Sequence, residues 1–244
     1  MPLDPISATA LQPVPRPVMG QAWTQLTYLH WPYDPDVIRP LLPPGIEPDL
    51  FDGVAWAGLI PFHLRRVTIM GTPPLPYVSS FLETNVRLYS AGPDGRRGVV
   101  FRSLEASRLL PVLAARVSYR LPYMWASMSM RREGDEITYA SRRRWPGPTG
   151  VGTRIRVRVG EVVEASPLDH FLTARWGLHT RWGRGSVWAP VEHERWPLQA
   201  AELLELDDEL VTAAGLPAPE GPPRVLYSAG VTVRIGSPRR VASG

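Results

Sequence analysis

The chain reads as a mainly β protein with a few short helices, built around a curved, mostly antiparallel sheet or a barrel-like double sheet. Three observations predict this. Eight segments are apolar for a strand's length or alternate apolar with polar residues. Turn signals such as Gly92-Pro93-Asp94-Gly95 and Glu133-Gly134-Asp135 fall between neighbouring segments, as hairpins require. No internal repeat and no linker divides the 244 residues, so one domain is expected over 1–244.

The elements follow in order. Residues 1–20 carry Pro2, Pro5, Pro13, Pro15 and Pro17 and are expected to form an extended arm. Strands are expected at 23–31, 54–62, 80–89, 98–104, 126–132, 136–143, 154–159 and 224–235. Segment 54–62 has two apolar faces (Val54, Trp56, Ile60 and Phe62 against Ala55, Ala57 and Leu59), so it should be central and covered on both sides. Asp34 caps a helix with Pro35 at its first position, running to about Leu42, where Pro43-Pro44-Gly45 stops it. Pro111 opens a second helix over 112–119. Ser166-Pro167-Leu168-Asp169 starts a third, ending near Arg175 or Trp176. Asp207 or Asp208 caps a fourth, which Gly215 ends, and 236–244 is expected to be a flexible tail.

Composition excludes some chemistry outright. All 27 basic residues are arginine, so there is no lysine to form an iminium with a ketone, and there is no cysteine to supply a thiolate. Disulfides and thiolate-metal frameworks are excluded for the same reason. A pI near 9.7 with a net charge of only +4 reflects arginines that do not titrate below very high pH. They are scattered, and in Arg154-Ile155-Arg156-Val157-Arg158-Val159 they alternate with apolar residues, the pattern of a strand with one solvated face. Neither a nucleic-acid footprint nor a membrane span is expected. No secretion signal is legible, which makes the cytoplasm the expected compartment.

The segment Phe81-Leu82-Glu83-Thr84-Asn85-Val86-Arg87-Leu88-Tyr89 carries the sharpest local pattern. Strand alternation puts Leu82, Thr84, Val86 and Leu88 on one face and Phe81, Glu83, Asn85, Arg87 and Tyr89 on the other. The polar row could line a cavity and hold a carboxylate or carbonyl, with Arg87 as the forked donor; it could equally face water. At 123–130, Met124, Met128 and Met130 share a core-filling face while Tyr123 and Trp125 take the other. His30-Trp31-Pro32-Tyr33 reads as a packed aromatic corner or the rim of a pocket. Glu192-His193-Glu194 is the nearest approach to a chelate, but strand neighbours point oppositely, and no metal or other cofactor is expected.

Several spaced words, read together, resemble a known family. Leu41-Leu42-Pro43-Pro44-Gly45-Ile46-Glu47-Pro48-Asp49, Ile60-Pro61-Phe62, the Phe81–Tyr89 row, Ala115-Arg116, Leu121-Pro122-Tyr123 and Trp196-Pro197-Leu198-Gln199 are similar to motifs of the uncharacterised YqjF-like family. That family in turn resembles the acetoacetate decarboxylase-like superfamily. The resemblance implies that fold and places a pocket glutamate at Glu83. Counting from Arg116, it puts the decarboxylases' catalytic lysine on Tyr123. Their first-strand pocket arginine has no counterpart, since Pro32 or a near neighbour stands there. It therefore implies a pocket but not the decarboxylase reaction.

Three readings follow. The first is a non-catalytic binder whose ligand, an unidentified small molecule, meets Asn85, Arg87, Tyr89, Arg116, Trp125 and His30. The second is a lysine-independent lyase, isomerase or hydratase for a small oxo-acid, with Tyr123 donating a proton, Glu83 as general base and an arginine holding the acid group. The third is an interaction protein whose cavity its own side chains fill. A homo-oligomer is compatible with all three.

Overall fold

The computed structural model describes residues 1–74, 77–118 and 120–241. Among them the strands are β1 (Met19–Tyr33), β2 (Glu47–Pro48), β3 (Ala55–Ile69), β4 (Phe81–Ala91), β5 (Arg97–Ala106), β6 (Tyr123–Glu133), β7 (Glu136–Trp145), β8 (Gly152–Val162), β9 (Gly177–Trp182), β10 (Gly185–His193), β11 (Leu198–Asp208), β12 (Arg224–Ile235) and β13 (Arg239–Arg240). They join in one sheet in the order β13-β10-β9-β5-β6-β7-β8-β11-β12-β1-β3-β4-β2. Two further pairings, β4 with β5 and β10 with β12, curl that sheet back on itself. Every ladder is antiparallel except β5–β6 and β5–β9. No helix among the described residues is long and apolar enough to cross a membrane.

The closures separate two apolar cores on opposite faces of β1, β3 and β4. One collects Tyr28, Ile60, Phe62, Phe81 and Tyr89 with Leu178 and Val191 of the β9–β10 hairpin. The other collects Leu29, Ala57, Leu59, Val86 and Leu88 with Ile137 and Val157 of β7 and β8. All of segment 54–62 but Val54 thus lies within β3 between β1 and β4, with an apolar core on each side, because both of its faces carry apolar side chains.

β1 and β3 bend where one residue is squeezed out of register. Gln25 and Arg66 both take positive φ, 53° and 55°. Thr24 faces His63 but Leu29 faces Leu59, so β1 spends one residue more than β3 across Gln25, while Ala22 and Gly20 face Arg65 and Thr68, so β3 spends one more across Arg66. Such bulges add twist and flip the alternation beyond them. Gly230 meets the first of them: a Cβ there would lie 2.2 Å from the Trp23 carbonyl oxygen, so only glycine fits.

The helices are α1 (Pro35–Ile38), α2 (Leu109–Ser118), α3 (Pro167–Thr173) and α4 (Leu210–Ala213). Asp34 caps α1 by accepting from Asp36 N, and a 3-10 turn, Arg39–Leu41, completes that segment. α2 begins two residues before Pro111; its expected end at Tyr119 lies outside the described residues. Ser166 and Asp169 form the reciprocal capping box of α3, which stops at Thr173, short of Arg175. At α4 the Asp208 carboxylate accepts from Val211 N.

The arginine-rich face of β8 is solvated, as the alternation predicts. Arg154 pairs with Glu205 across the ladder at 2.8 Å, and Arg158 reaches Glu202 and Glu136 at 2.7 and 2.9 Å. The first eighteen residues run along the surface and are tied by backbone contacts: Asp4 N to Gly95 O, Arg97 Nε to Asp4 O and Trp176 Nε1 to Ser7 O. Within 236–244, Arg239 and Arg240 pair with Trp188 and Val187 of β10, and 242–244 lie outside the described residues.

Candidate functional site

A cavity of about 360 Å³ opens on the first core's side of β1, β3, β4 and β5. Its walls are mostly apolar: Trp23 from β1, Leu64 and Val67 from β3, Phe81 from β4, Phe101 and Leu104 from β5. Glu83, Arg87 and Tyr123 are set into them, with Arg175 and His193. Alternation along β4 does the positioning, because Phe81, Glu83 and Arg87 project to one side while Val86 and Leu88 fill the opposite core.

Glu83 is 3% exposed and accepts a hydrogen bond from the Tyr123 hydroxyl at 2.9 Å. Burial raises its carboxyl from the ordinary 4.5 to about 7, against the opposing pull of hydrogen bonds from Tyr123 and Asn85. The same burial, with the adjoining Glu83 charge, holds the Tyr123 phenol well above its ordinary value. Tyr123 reaches this place because β6 starts parallel to β5, with Tyr123 opposite Leu104, itself opposite Asn85 across the β4 ladder.

Arg87 is 7% exposed and stands between the rings of Tyr28 and Tyr89, at 5.7 and 5.5 Å. Its Nη2 donates to Leu172 O at 2.7 Å and its Nε to the Tyr89 hydroxyl at 3.2 Å. Leu172 O, near the end of α3, also accepts from Tyr89 at 2.7 Å, so a carbonyl without an intrahelical partner is satisfied from the sheet. His30 Nε2 lies 2.6 Å from the same hydroxyl. With the tyrosine proton on Leu172 O, Nε2 carries its own proton and donates. Burial first, then the charges of Arg87, Arg224 and Arg175, keep that imidazole neutral by lowering its pKa well below 6.5. Gly58 makes room for it; a Cβ there would stand 2.9 Å from the ring.

The arginines here differ in pairing. Arg175 is paired with Asp49, which also holds Arg97, and stacks on Phe171 at 4.1 Å. Arg87 has no carboxylate within ion-pair distance among the described residues, and its Nη1 has no hydrogen bond there. His193 bonds Glu194 O through Nδ1 at 2.6 Å and packs on Trp176 and Trp196; burial lowers its pKa to about 4.

Of the eight residues singled out from sequence, Glu83, Arg87 and Tyr123 line the cavity together. Asn85, Tyr89 and His30 do not: they are buried in the layer behind it, where Tyr89 and His30 brace Arg87 and Asn85 turns to Glu83. Arg116 is also outside the lining. Its Nη1 donates to the Tyr123 carbonyl at 2.6 Å and its guanidinium covers Trp145 at 5.2 Å, so it holds the backbone of Tyr123 and leaves the cavity alone. Trp125 continues past the cavity and stacks under Arg144 at 5.1 Å. Arg175, His193 and Trp23 were missed. The first two come from the loop just past α3 and from β10, and only tertiary closure brings them to β4.

The chain matches the model of the DUF2071 family, described as an uncharacterized conserved protein, over residues 20–232. It is 32% identical over 212 residues to the uncharacterized protein YqjF of Bacillus subtilis (strain 168), covering 86% of this chain and 87% of that one. Among solved structures it is similar to the enduracididine biosynthesis enzyme MppR complexed with pyruvate, with a TM-score of 0.66 at 18% identity over 99% of this chain and 96% of that one. An acetoacetate decarboxylase-like enzyme from Sphingomonas wittichii RW1 superimposes with a TM-score of 0.65 at 14% identity, covering 95% and 96% of the two chains. At such identities the likeness shows the acetoacetate decarboxylase-like fold alone.

Proposed function

We propose, from the premise that this chain belongs to the DUF2071 family and has the acetoacetate decarboxylase-like fold, that its cavity binds a small organic acid, with the carboxylate on Arg87. The observation that carries this is the unpaired guanidinium. A buried cation without a counter-ion is costly, and a bound carboxylate supplies the missing charge and the acceptor for Nη1. Glu83, at about 7, is protonated in a large fraction of molecules at neutral pH, so it does not repel the anion and can donate to its second oxygen. The MppR neighbour, complexed with pyruvate, is consistent with an acid in such a fold. A cavity of about 360 Å³ speaks against an interior filled by side chains.

Calorimetric titration with pyruvate and hexanoate, beside their neutral amides, tests the reading. The acids should bind and the amides should bind at least about tenfold more weakly, with Arg87→Met erasing the difference. Equal binding of acid and amide refutes it.

The Tyr123–Glu83 hydrogen bond supports a second reading, acid–base turnover of an oxo-acid. A general base that titrates near neutrality is well matched to proton abstraction. Ionised Glu83 would take a proton from the carbon beside the carbonyl, the C–H pair would become the enol double bond, and Tyr123 would protonate the carbonyl oxygen. No iminium is involved, since the chain has no lysine. Proton NMR of pyruvate in D2O separates the readings: protein-dependent loss of the methyl signal, abolished in Glu83→Gln, marks turnover, and its absence with binding intact leaves the binder.

A further inference from the structure

We infer that the ligand is an amphiphilic monocarboxylate with at least about a dozen non-hydrogen atoms, its tail lying along β3 toward the surface between Ile69 and Leu110. This rests on the carboxylate reading above and extends it to the size and character of the rest of the molecule.

Volume sets the scale. A cavity of about 150 Å³ takes a benzene ring. The 360 Å³ found here therefore has room for about twice that, well beyond the six non-hydrogen atoms of pyruvate. The charged groups and Tyr123 gather at the Arg87 end, and the walls leading away from them are mostly apolar, with Gln21, Thr72 and Ser79 as the polar residues there.

Strand register gives the direction and reach. Phe62 stands opposite Glu83, Leu64 opposite Phe81, and Val67 N bonds to Ser79 O. Five residues of strand separate the level of Glu83 from that of Val67, a wall of about 15 Å. The bulge at Arg66 matters here. Without the extra residue Val67 would point to the other face; with it, Leu64 and Val67 both line the cavity. On β1, Met19, Gln21 and Trp23 line the same stretch at strand period. The lining reaches the surface at Ile69 and Leu110, which are 51% and 59% exposed. A head held at Arg87 and a tail leaving past Val67 fills this shape, whereas a compact dicarboxylate or a sugar acid would set polar atoms against Trp23, Leu64 and Phe101.

Calorimetry or tryptophan fluorescence with straight-chain carboxylates from acetate to dodecanoate tests this on the unmodified protein. Affinity is expected to rise about fourfold per methylene until the tail reaches the mouth. Decanol and decylamine should bind at least about tenfold more weakly than decanoate. Val67→Trp should lower decanoate affinity at least tenfold and leave propionate unchanged. If affinity is flat from acetate to decanoate while acids still outbind their neutral counterparts, the tail is wrong and the carboxylate reading stands. If decanol binds as well as decanoate, or no acid binds, both fall.

Discussion

Glu83 on β4 and Glu105 on β5 belong to the same two-strand ribbon but to opposite faces of it, since Thr84 is the residue paired with Glu105. Glu105 meets Arg143 in a closed ion pair: Nη2 donates to Oε1 at 2.5 Å, Nε reaches both carboxylate oxygens, and the two side chains are 0% and 1% exposed. Glu83 has an arginine four residues along its own strand yet makes no ion pair with it, taking the Tyr123 hydroxyl as its partner while Arg87 turns to a carbonyl and a phenol. The same two residue types are complete in one place and incomplete in the other. The incomplete place is the one with a cavity in front of it, which is why the unpaired charge reads as a site and the paired one as structure.

The largest effect should come from breaking the closed pair. Glu105→Gln leaves Arg143 buried without a counter-charge and is expected to cost about 3–5 kcal/mol in urea unfolding. A loss below about 1 kcal/mol would show that the two glutamates are not as different as their surroundings indicate.

Next comes the pH response of the open site. The Glu83 carboxyl titrates at about 7 when folded and at its ordinary value when unfolded, so between those values the folded state binds more protons. Its contribution therefore erodes stability as pH rises from 4.5 to about 7, by about 3 kcal/mol at about 1.4 kcal/mol for each pH unit. Buried His179 and His193, both lowered to about 4, act in the other direction and erode stability as pH falls from 6.5 toward 4. Subtracting the Glu83→Gln stability curve from that of the wild type isolates the glutamate. A flat difference across pH 4.5–7 rules out the raised carboxyl.

Arg87→Met should matter much less to the empty protein than Glu105→Gln. Tyr89 still satisfies Leu172 O, and the removal of an unpaired buried charge offsets the lost hydrogen bonds, so thermal and urea unfolding should stay within about 1.5 kcal/mol of wild type. A loss as large as that of Glu105→Gln would make Arg87 a structural residue. The smallest effect is expected from Tyr123→Phe, about 1 kcal/mol in stability, with the Glu83 titration moving further up as its donor is lost. Carboxyl-stretch infrared titration reads this directly, and a downward move would contradict the hydrogen bond as the Glu83 partner.

Much of the open site was legible because it lies on one strand. Alternation from Phe81 to Tyr89 separates the faces of β4, and the same rule separates Tyr123 from Met124 on β6. What lay beyond reading came from elsewhere. Alternation cannot tell a cavity wall from the packed layer behind it, so Asn85, Tyr89 and His30 looked equivalent to Glu83 and Arg87. The bulges at Gln25 and Arg66 sit on residues with no local preference for positive φ. β9 and β10 are short and interrupted by glycine and Pro190. β11, Leu-Gln-Ala-Ala-Glu-Leu-Leu-Glu-Leu-Asp-Asp, is made largely of helix formers and becomes a strand through its ladders with β8 and β12.

The pairing of β1 with β12 sets a timetable for biosynthesis. Met19 lies opposite Ile235 and His30 opposite Arg224, so the inner wall of the cavity is stitched to a strand made some two hundred residues later. At ribosomal speeds of about 5–20 residues per second, β1 is out of the exit tunnel for about ten seconds or more before that partner exists. Throughout that interval Trp23, Leu26, Tyr28 and Leu29 form an unpaired apolar edge, the kind that recruits other nascent chains. A circular permutant in which 224–235 is translated just ahead of β1 removes the wait. Its yield of soluble protein at 37 °C, relative to the natural order, measures how much of this protein's folding hazard lies in the order in which its strands are made.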